Sequence, residues 1–178
     1  MKRRQFIKSS TATAGLILGQ RFGWGASTDK SPALLLEAAQ FQTKGGWVLD
    51  QQFMDQMGSA FLLAHGLGKP VADAVAKVRL PEAGGYRLWV RTRDWVAPWK
   101  TPETMPDKRA KGIPGIFKVL VGGKAVPVTF GDRRADWHWQ DGGTIEIEDL
   151  ETDIALHDLT GFEGRCAGIF LTKDRDFT

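Results

Sequence analysis

The sequence predicts an all-β chain folded as an antiparallel β-sandwich or jelly roll, and three observations carry that prediction. Short segments alternate apolar and polar residues with a period of two, as half-buried strands do. Turn signals, several of them Gly-Gly pairs, separate these segments at short intervals. No apolar pattern of helical period is sustained, which argues against helices layered on a sheet.

A polar linker, Ser27 to Pro32, leads into a first strand at Ala33 to Phe41. The run from Gly45 to Ala64 mixes turn glycines with Trp47, Phe53, Met54, Met57 and Phe61; it accommodates one short helical turn near Gln51 to Met57, then a strand at Phe61 to Ala64. His65 to Pro70 is a turn. From Asp73 to Leu80 one face carries Ala74, Ala76, Val78 and Leu80, and the other Asp73, Val75, Lys77 and Arg79. Pro81 to Gly85 connects this strand to Tyr86 to Arg93, where Tyr86, Leu88 and Val90 face one way and Arg87, Trp89, Arg91 and Arg93 the other. These two strands are expected to pair as a hairpin.

Asp94 to Gly115 holds four of the eight prolines and is a long loop. Strand periodicity returns at Phe117, Val119 and Val121, turns at Gly122-Gly123-Lys124, and continues through Val126, Val128 and Phe130. Asp132 to Gly143 is a second polar, aromatic loop. Strand patterns at Ile145 and Ile147, at Ile154 and Leu156, and at Ile169 and Leu171 close the chain, for about eight to ten strands in all. The stretch Leu156 to Leu171 combines a polar turn with flanking strands, and Leu156, Leu159, Phe162, Ile169 and Leu171 are expected to anchor it to the core.

The 178 residues make one folded domain, 33–178, of ordinary globular composition, with 42% hydrophobic and 25% charged residues. The net charge of +3 is misleading. Lys2, Arg3, Arg4, Lys8 and Arg21 precede Ser27 while no acid does, so the body carries 19 basic residues against 21 acidic ones, a net of −2. A nucleic-acid partner therefore has no support from charge. Residues 1–26 read as an export signal: a charged start, then a weakly apolar run from Thr11 to Leu18 that is too short to span a membrane. Arg3-Arg4-Gln5-Phe6-Ile7-Lys8 resembles the twin-arginine signal, with Lys2 where a Ser or Thr is usual. The expected location is periplasmic or extracellular, with no integral membrane segment once the signal is removed. Cys166, the single cysteine, has no partner within the chain and reads as a small core residue.

Local motifs for chemistry are few. No GxGxxG joins a strand to a helix, no P-loop lysine occurs, and Ser59 lacks a nucleophile-elbow flank. His65, His138 and His157 form no helical metal-binding pair. The chain is therefore read as non-catalytic, with no cofactor and no metal.

Tryptophan is the unusual feature. Trp47, Trp89, Trp95, Trp99, Trp137 and Trp139 follow the signal, against a single Tyr. Trp89 lies in a strand and is expected to pack. Trp95, Trp99, Trp137 and Trp139 fall in the two long loops, where large apolar rings serve either as a platform for a sugar's C–H face or as a small core under the loop. Asp94 and Gln140 adjoin them in sequence, His157, Asp158 and Arg165 come from the later polar turn, and all five have donors or acceptors suited to hydroxyls. Glu163 and Arg165 are also placed to bridge within their own loop.

LLLEAAQF, LPEAGGYRLWVRTRDW and GRCAGIFL resemble calcium-dependent β-sandwich carbohydrate-binding modules, which open on a Glu-Ala-Glu strand and carry a Gly-Tyr-x-Leu-x-Val-Arg strand. GGWVLDQQFMDQMGSAFLLAHGLGKPVADA, YRLWVRTRDWVAPW, WHWQDGG and LHDLTGFEGRC are similar to the sandwich domain attached to some bacterial FAD-dependent oxidoreductases. The resemblance implies a galactose-binding-like jelly roll. It further implies carbohydrate or a glycosylated surface as ligand, or an exported flavoenzyme as partner. The modules hold calcium with both opening glutamates and a later aspartate. Glu37 matches the first of these, whereas Ala39 and Ala167 stand at the others, which argues against a retained ion.

Overall fold

The structure, a computed structural model, describes residues 31–96 and 114–178. The proposed export signal, most of the linker, and Trp99 lie outside the described residues.

Among the described residues ten strands build two antiparallel sheets: β1 (Ala33–Glu37), β2 (Trp47–Asp50), β3 (Phe61–His65), β4 (Ala74–Arg79), β5 (Gly84–Thr92), β6 (Phe117–Val121), β7 (Lys124–Ala125), β8 (His138–Ile147), β9 (Glu151–Asp158) and β10 (Phe162–Thr172). The six-stranded sheet runs β2-β3-β10-β5-β8, with β1 also on β10; the four-stranded sheet runs β4-β9-β6-β7. Strand β10 organises the larger sheet. Its first half pairs with β3, its second half with β1, and its other edge with β5. Among the described residues no helix is long and apolar enough to cross a membrane.

Alternation explains the core. Tyr86, Leu88 and Val90 of β5 and Ile169 and Leu171 of β10 turn inward from one sheet, and Ala74, Ala76, Phe117, Val119, Ile154 and Leu156 meet them from the other. Trp47 and Phe117 cross the gap edge to face, centroids 5.6 Å apart. Cys166 belongs to this core, and burial pushes its thiol up to about 12.

Several expectations are corrected. The first strand stops at Glu37, where Gln40 Oε1 accepts the Glu37 amide at 2.7 Å and a 3-10 turn covers Ala38–Gln40. The helical turn is Met54–Met57, within its expected span. Strands β4 and β5 are not a hairpin: β4 pairs with β9, and β5 pairs with β10 and β8 in the opposite sheet. Alternation assigns each strand a face but no partner, because both inward faces serve one core. The connection crosses the end of the sandwich and is pinned by the Tyr86 hydroxyl, which donates to the Glu82 carbonyl at 2.8 Å.

The second polar loop is shorter than expected, because β8 begins at His138 and includes Trp139 and Gln140. Its polar inward residue disguises the alternation: Gln140 is buried and donates to the Thr129 carbonyl at 2.8 Å. Leu159 and Phe162 do not anchor the β9–β10 turn, being 36% and 46% exposed.

Candidate functional site

The outer face of the six-stranded sheet gathers the aromatic side chains. Since Tyr86, Leu88 and Val90 face the core, Arg87, Trp89 and Arg91 leave β5 on the opposite side. Phe170 is in register with Trp89, and Trp139 with Arg91. Phe177, which follows β10, folds onto this face, with its ring 5.5 Å from Trp89 and 4.8 Å from Phe170. Trp89 is thereby covered on the second face.

Trp139 stays open, at 37% exposed, beside Phe170 at 6.4 Å. Its ring reaches across β5 toward β10, where Cη2 lies 3.9 Å from the position a Cβ on Gly168 would take. The indole therefore extends over the sheet surface, and a Cβ at Gly168 would meet it only at ordinary contact distance.

A stack of cations and aromatic rings occupies the adjoining end of the face. Trp95 Nε1 donates to the Phe162 carbonyl at 3.0 Å, fixing its ring. The Arg165 guanidinium lies 5.3 Å from that ring and 6.0 Å from Phe61. Phe61 continues the stack to Trp137 at 5.1 Å and Phe53 at 5.8 Å, and Arg93 lies 5.0 Å from the Phe53 ring. Beside Phe53 and Trp137 opens a cleft of about 550 Å³, floored by Arg91 and Arg93 and rimmed by Gln56 and Asp136.

The electrostatics of this end are unusual. Burial is the main influence lowering the Arg165 pKa; Glu163 opposes it, and Arg93 adds like-charge repulsion. A guanidinium nevertheless stays charged. Glu163 holds Arg165 Nη2 at 3.3 Å and His65 Nδ1 at 3.3 Å. It does so from a φ of +57°, a left-handed conformation that costs a non-glycine residue on the order of 1 kcal/mol. The bridge expected between Glu163 and Arg165 is present.

The sequence-predicted residues do not all converge. Trp95, Trp137, Trp139 and Arg165 share the outer face. Asp94 is buried and its Oδ1 accepts the Val96 amide at 3.1 Å. Gln140 points into the sandwich. Asp158 is 1% exposed and accepts the amides of Val71, Thr160 and Gly161 at 3.0, 3.1 and 2.8 Å, so it ties the turn after β9 to the segment that leads into β4. His157 follows inward-facing Leu156 and therefore points out of the four-stranded sheet, where Nδ1 meets Asp73 Oδ1 at 2.9 Å. The residues missed by sequence were Arg91, Arg93 and Phe53. The outward alternation of Arg91 and Arg93 was legible, but nothing local tied it to Phe53 on a different element.

No family model matches the chain, and no curated protein matches its sequence. Among solved structures, it is similar to a Podospora anserina GH26-CBM35 β-(1,4)-mannanase, with a TM-score of 0.57 and 13% identity over 84% of this chain and 29% of that one. It is similar to a family 35 carbohydrate-binding module from an environmental isolate, with a TM-score of 0.52 and 14% identity over 79% of this chain and 93% of that one. A ruminal GH26 endo-β-1,4-mannanase gives a TM-score of 0.51 and 14% identity over 82% of this chain and 26% of that one. The chain thus spans less than a third of either mannanase and nearly all of the single module. What these likenesses establish is the fold, an antiparallel β-sandwich of the kind found in family 35 modules.

Proposed function

We propose that this chain is a non-catalytic module that binds carbohydrate on the outer face of its six-stranded sheet. Trp139 is the platform and Trp137 its neighbour. The observation that carries the reading is the contrast among tryptophans: Trp47 and Trp89 are 2% and 7% exposed, whereas Trp139 is 37% exposed and lies along the sheet. An indole held flat offers a sugar ring a preorganised surface, at little cost in side-chain entropy. The similarity to a carbohydrate-binding module supports the same reading, and β-1,4-mannan is the natural first probe. Pull-down of the full chain on insoluble β-1,4-mannan, cellulose and xylan tests it: retention on at least one is expected, and retention on none of these or of a wider glycan array rejects it.

Export by the twin-arginine route belongs to this proposal, resting on Arg3-Arg4 and the short apolar run. Accumulation of the chain in the cytoplasm when that translocase is removed is the expected result, and unchanged export contradicts it.

A second reading, an accessory subunit of an exported FAD-dependent oxidoreductase, is favoured by one observation. Leu67, Phe162 and Leu159 are 80%, 46% and 36% exposed on two turns joined by the Gly66 amide, which donates to the Gly161 carbonyl at 2.9 Å. Co-purification of a flavin-coloured complex that is lost on Leu67→Asp supports it; a colourless monomer counts against it.

A further inference from the structure

The cleft end of the outer face, where Arg91, Arg93, Arg134 and Arg165 gather, carries more positive charge than Glu163, Asp136 and Asp50, which acts on Arg165, together balance. Arg87 pairs with Asp141 at 2.8 Å, and Arg165 with Glu163 at 3.3 Å. Among the described residues, neither Arg91 nor Arg93 has a carboxylate at ion-pair distance. Asp136, on the rim of the cleft, is already engaged by Arg134 at 2.7 Å. Strand geometry sends Arg91 and Arg93 out on one side with Cα atoms about 7 Å apart.

Arg93 is the informative member. Its Nε–H is buried without an acceptor, so its desolvation is not offset by a hydrogen bond. The Phe53 ring 5.0 Å away holds the guanidinium in place, and the charge of Arg165 acts against it. That Nε–H is sealed from the cleft, but among the described residues the charge it belongs to has no carboxylate against it, and an anion in the cleft offsets its repulsion with Arg91 and Arg165. A second large cleft, of about 580 Å³ at the other sheet, offers the contrast. It is lined by Lys77, Arg79, Asp149, Glu151 and Asp153, and both of its cations are paired, through contacts of 3.0 Å (Lys77–Asp153) and 2.6 Å (Arg79–Glu151).

We infer that the cleft over Arg91 and Arg93 selects an anionic saccharide, one bearing a carboxylate or sulfate group, with the anion on the two guanidinium forks and the sugar ring against Trp137. This rests on reading the outer face as a glycan surface. Two planar forks suit an oxyanion that accepts paired hydrogen bonds, which an ammonium group matches poorly. The body's net charge of −2 gives a polyanion no long-range attraction, so selection has to be local.

Affinity electrophoresis of the full chain in polygalacturonate, dextran sulfate, galactomannan and dextran tests the inference. At least tenfold tighter binding to a polyanion than to either neutral polymer is expected. Arg93→Gln and Arg91→Gln each lower that affinity about tenfold or more, as loss of a charged hydrogen bond does. Lys77→Gln, the same charge change on the opposite face, leaves it unaltered. The ranking of polygalacturonate against dextran sulfate identifies the anion, and on lowering the pH to about 3 binding to polygalacturonate weakens as its carboxylates protonate while binding to dextran sulfate persists. Arg93→Lys retains the charge without the fork and recovers only part of the affinity. Removing Arg93 relieves repulsion on Arg165, so Arg93→Gln keeps a thermal midpoint at or above that of the parent, separating lost binding from lost folding. Equal affinity for neutral and anionic polymers, or polyanion binding indifferent to Arg91 and Arg93, overturns the anion inference and leaves the glycan surface standing. Binding to no polymer overturns both.

Discussion

The guanidinium of Arg165 lies over the indole of Trp95, with Cζ 5.3 Å from the ring centroid. Arg165 is the fourth residue of β10 and Trp95 follows β5, so the contact joins two neighbouring strands just where β5 leaves the sheet. A guanidinium can stack flat on an aromatic ring; an ammonium cannot. Arg165→Lys is therefore expected to cost about 1–2 kcal/mol, the scale of a desolvated cation–π contact, read as a lower urea midpoint with an unchanged slope.

Asp158 should matter for folding and not for ligand. It is buried and satisfies three backbone amides across the turn after β9. Asp158→Ala leaves those donors unmet and is expected to cost about 3 kcal/mol. Urea denaturation measures the loss, and ligand affinity corrected for the folded fraction should not change.

Cys166 sits in the closed core with its thiol pushed up to about 12 by burial. At pH 8 a thiol reagent is expected to label it only as fast as the protein unfolds globally, and fully in denaturant. Rapid labelling of the native chain would mean that β10 opens locally.

The Arg87–Asp141 pair sets a small acid dependence. Its hydrogen bond from Arg87 is the main influence holding the Asp141 carboxyl below its usual value. A depressed carboxyl contributes stability that is present above its unfolded pKa, near 3.8, and lost as pH falls through the lower folded value. Both side chains are about a third exposed, so solvent screens the effect. Asp141→Asn should flatten the acid limb of a stability–pH curve slightly, and added salt should hide the difference.

The fold was legible because a two-residue period survives wherever one side of a strand meets the core, as in Asp73 to Leu80 and Tyr86 to Arg93. Pairing was not legible. Ala74 and Tyr86 face one core from opposite sheets, and nothing in either segment records which. Trp139 was legible as a residue needing a reason to be exposed, but the first half of β8 escaped notice because Gln140 takes an inward position usually held by an apolar side chain. Asp158 and His157, adjacent in sequence, part company in space: one closes a buried turn and the other faces away from the tryptophans. Proximity in sequence marks a shared site only when the residues also share a face.

Binding by the face that carries Trp139 is the central claim, and affinity electrophoresis of the parent, Trp139→Ala and His157→Ala chains across a set of soluble glycans tests it most directly. The account predicts that at least one glycan retards the parent, that Trp139→Ala loses most of this retardation at an unchanged thermal midpoint, and that His157→Ala migrates like the parent. Retardation that survives Trp139→Ala and disappears with His157→Ala would contradict it.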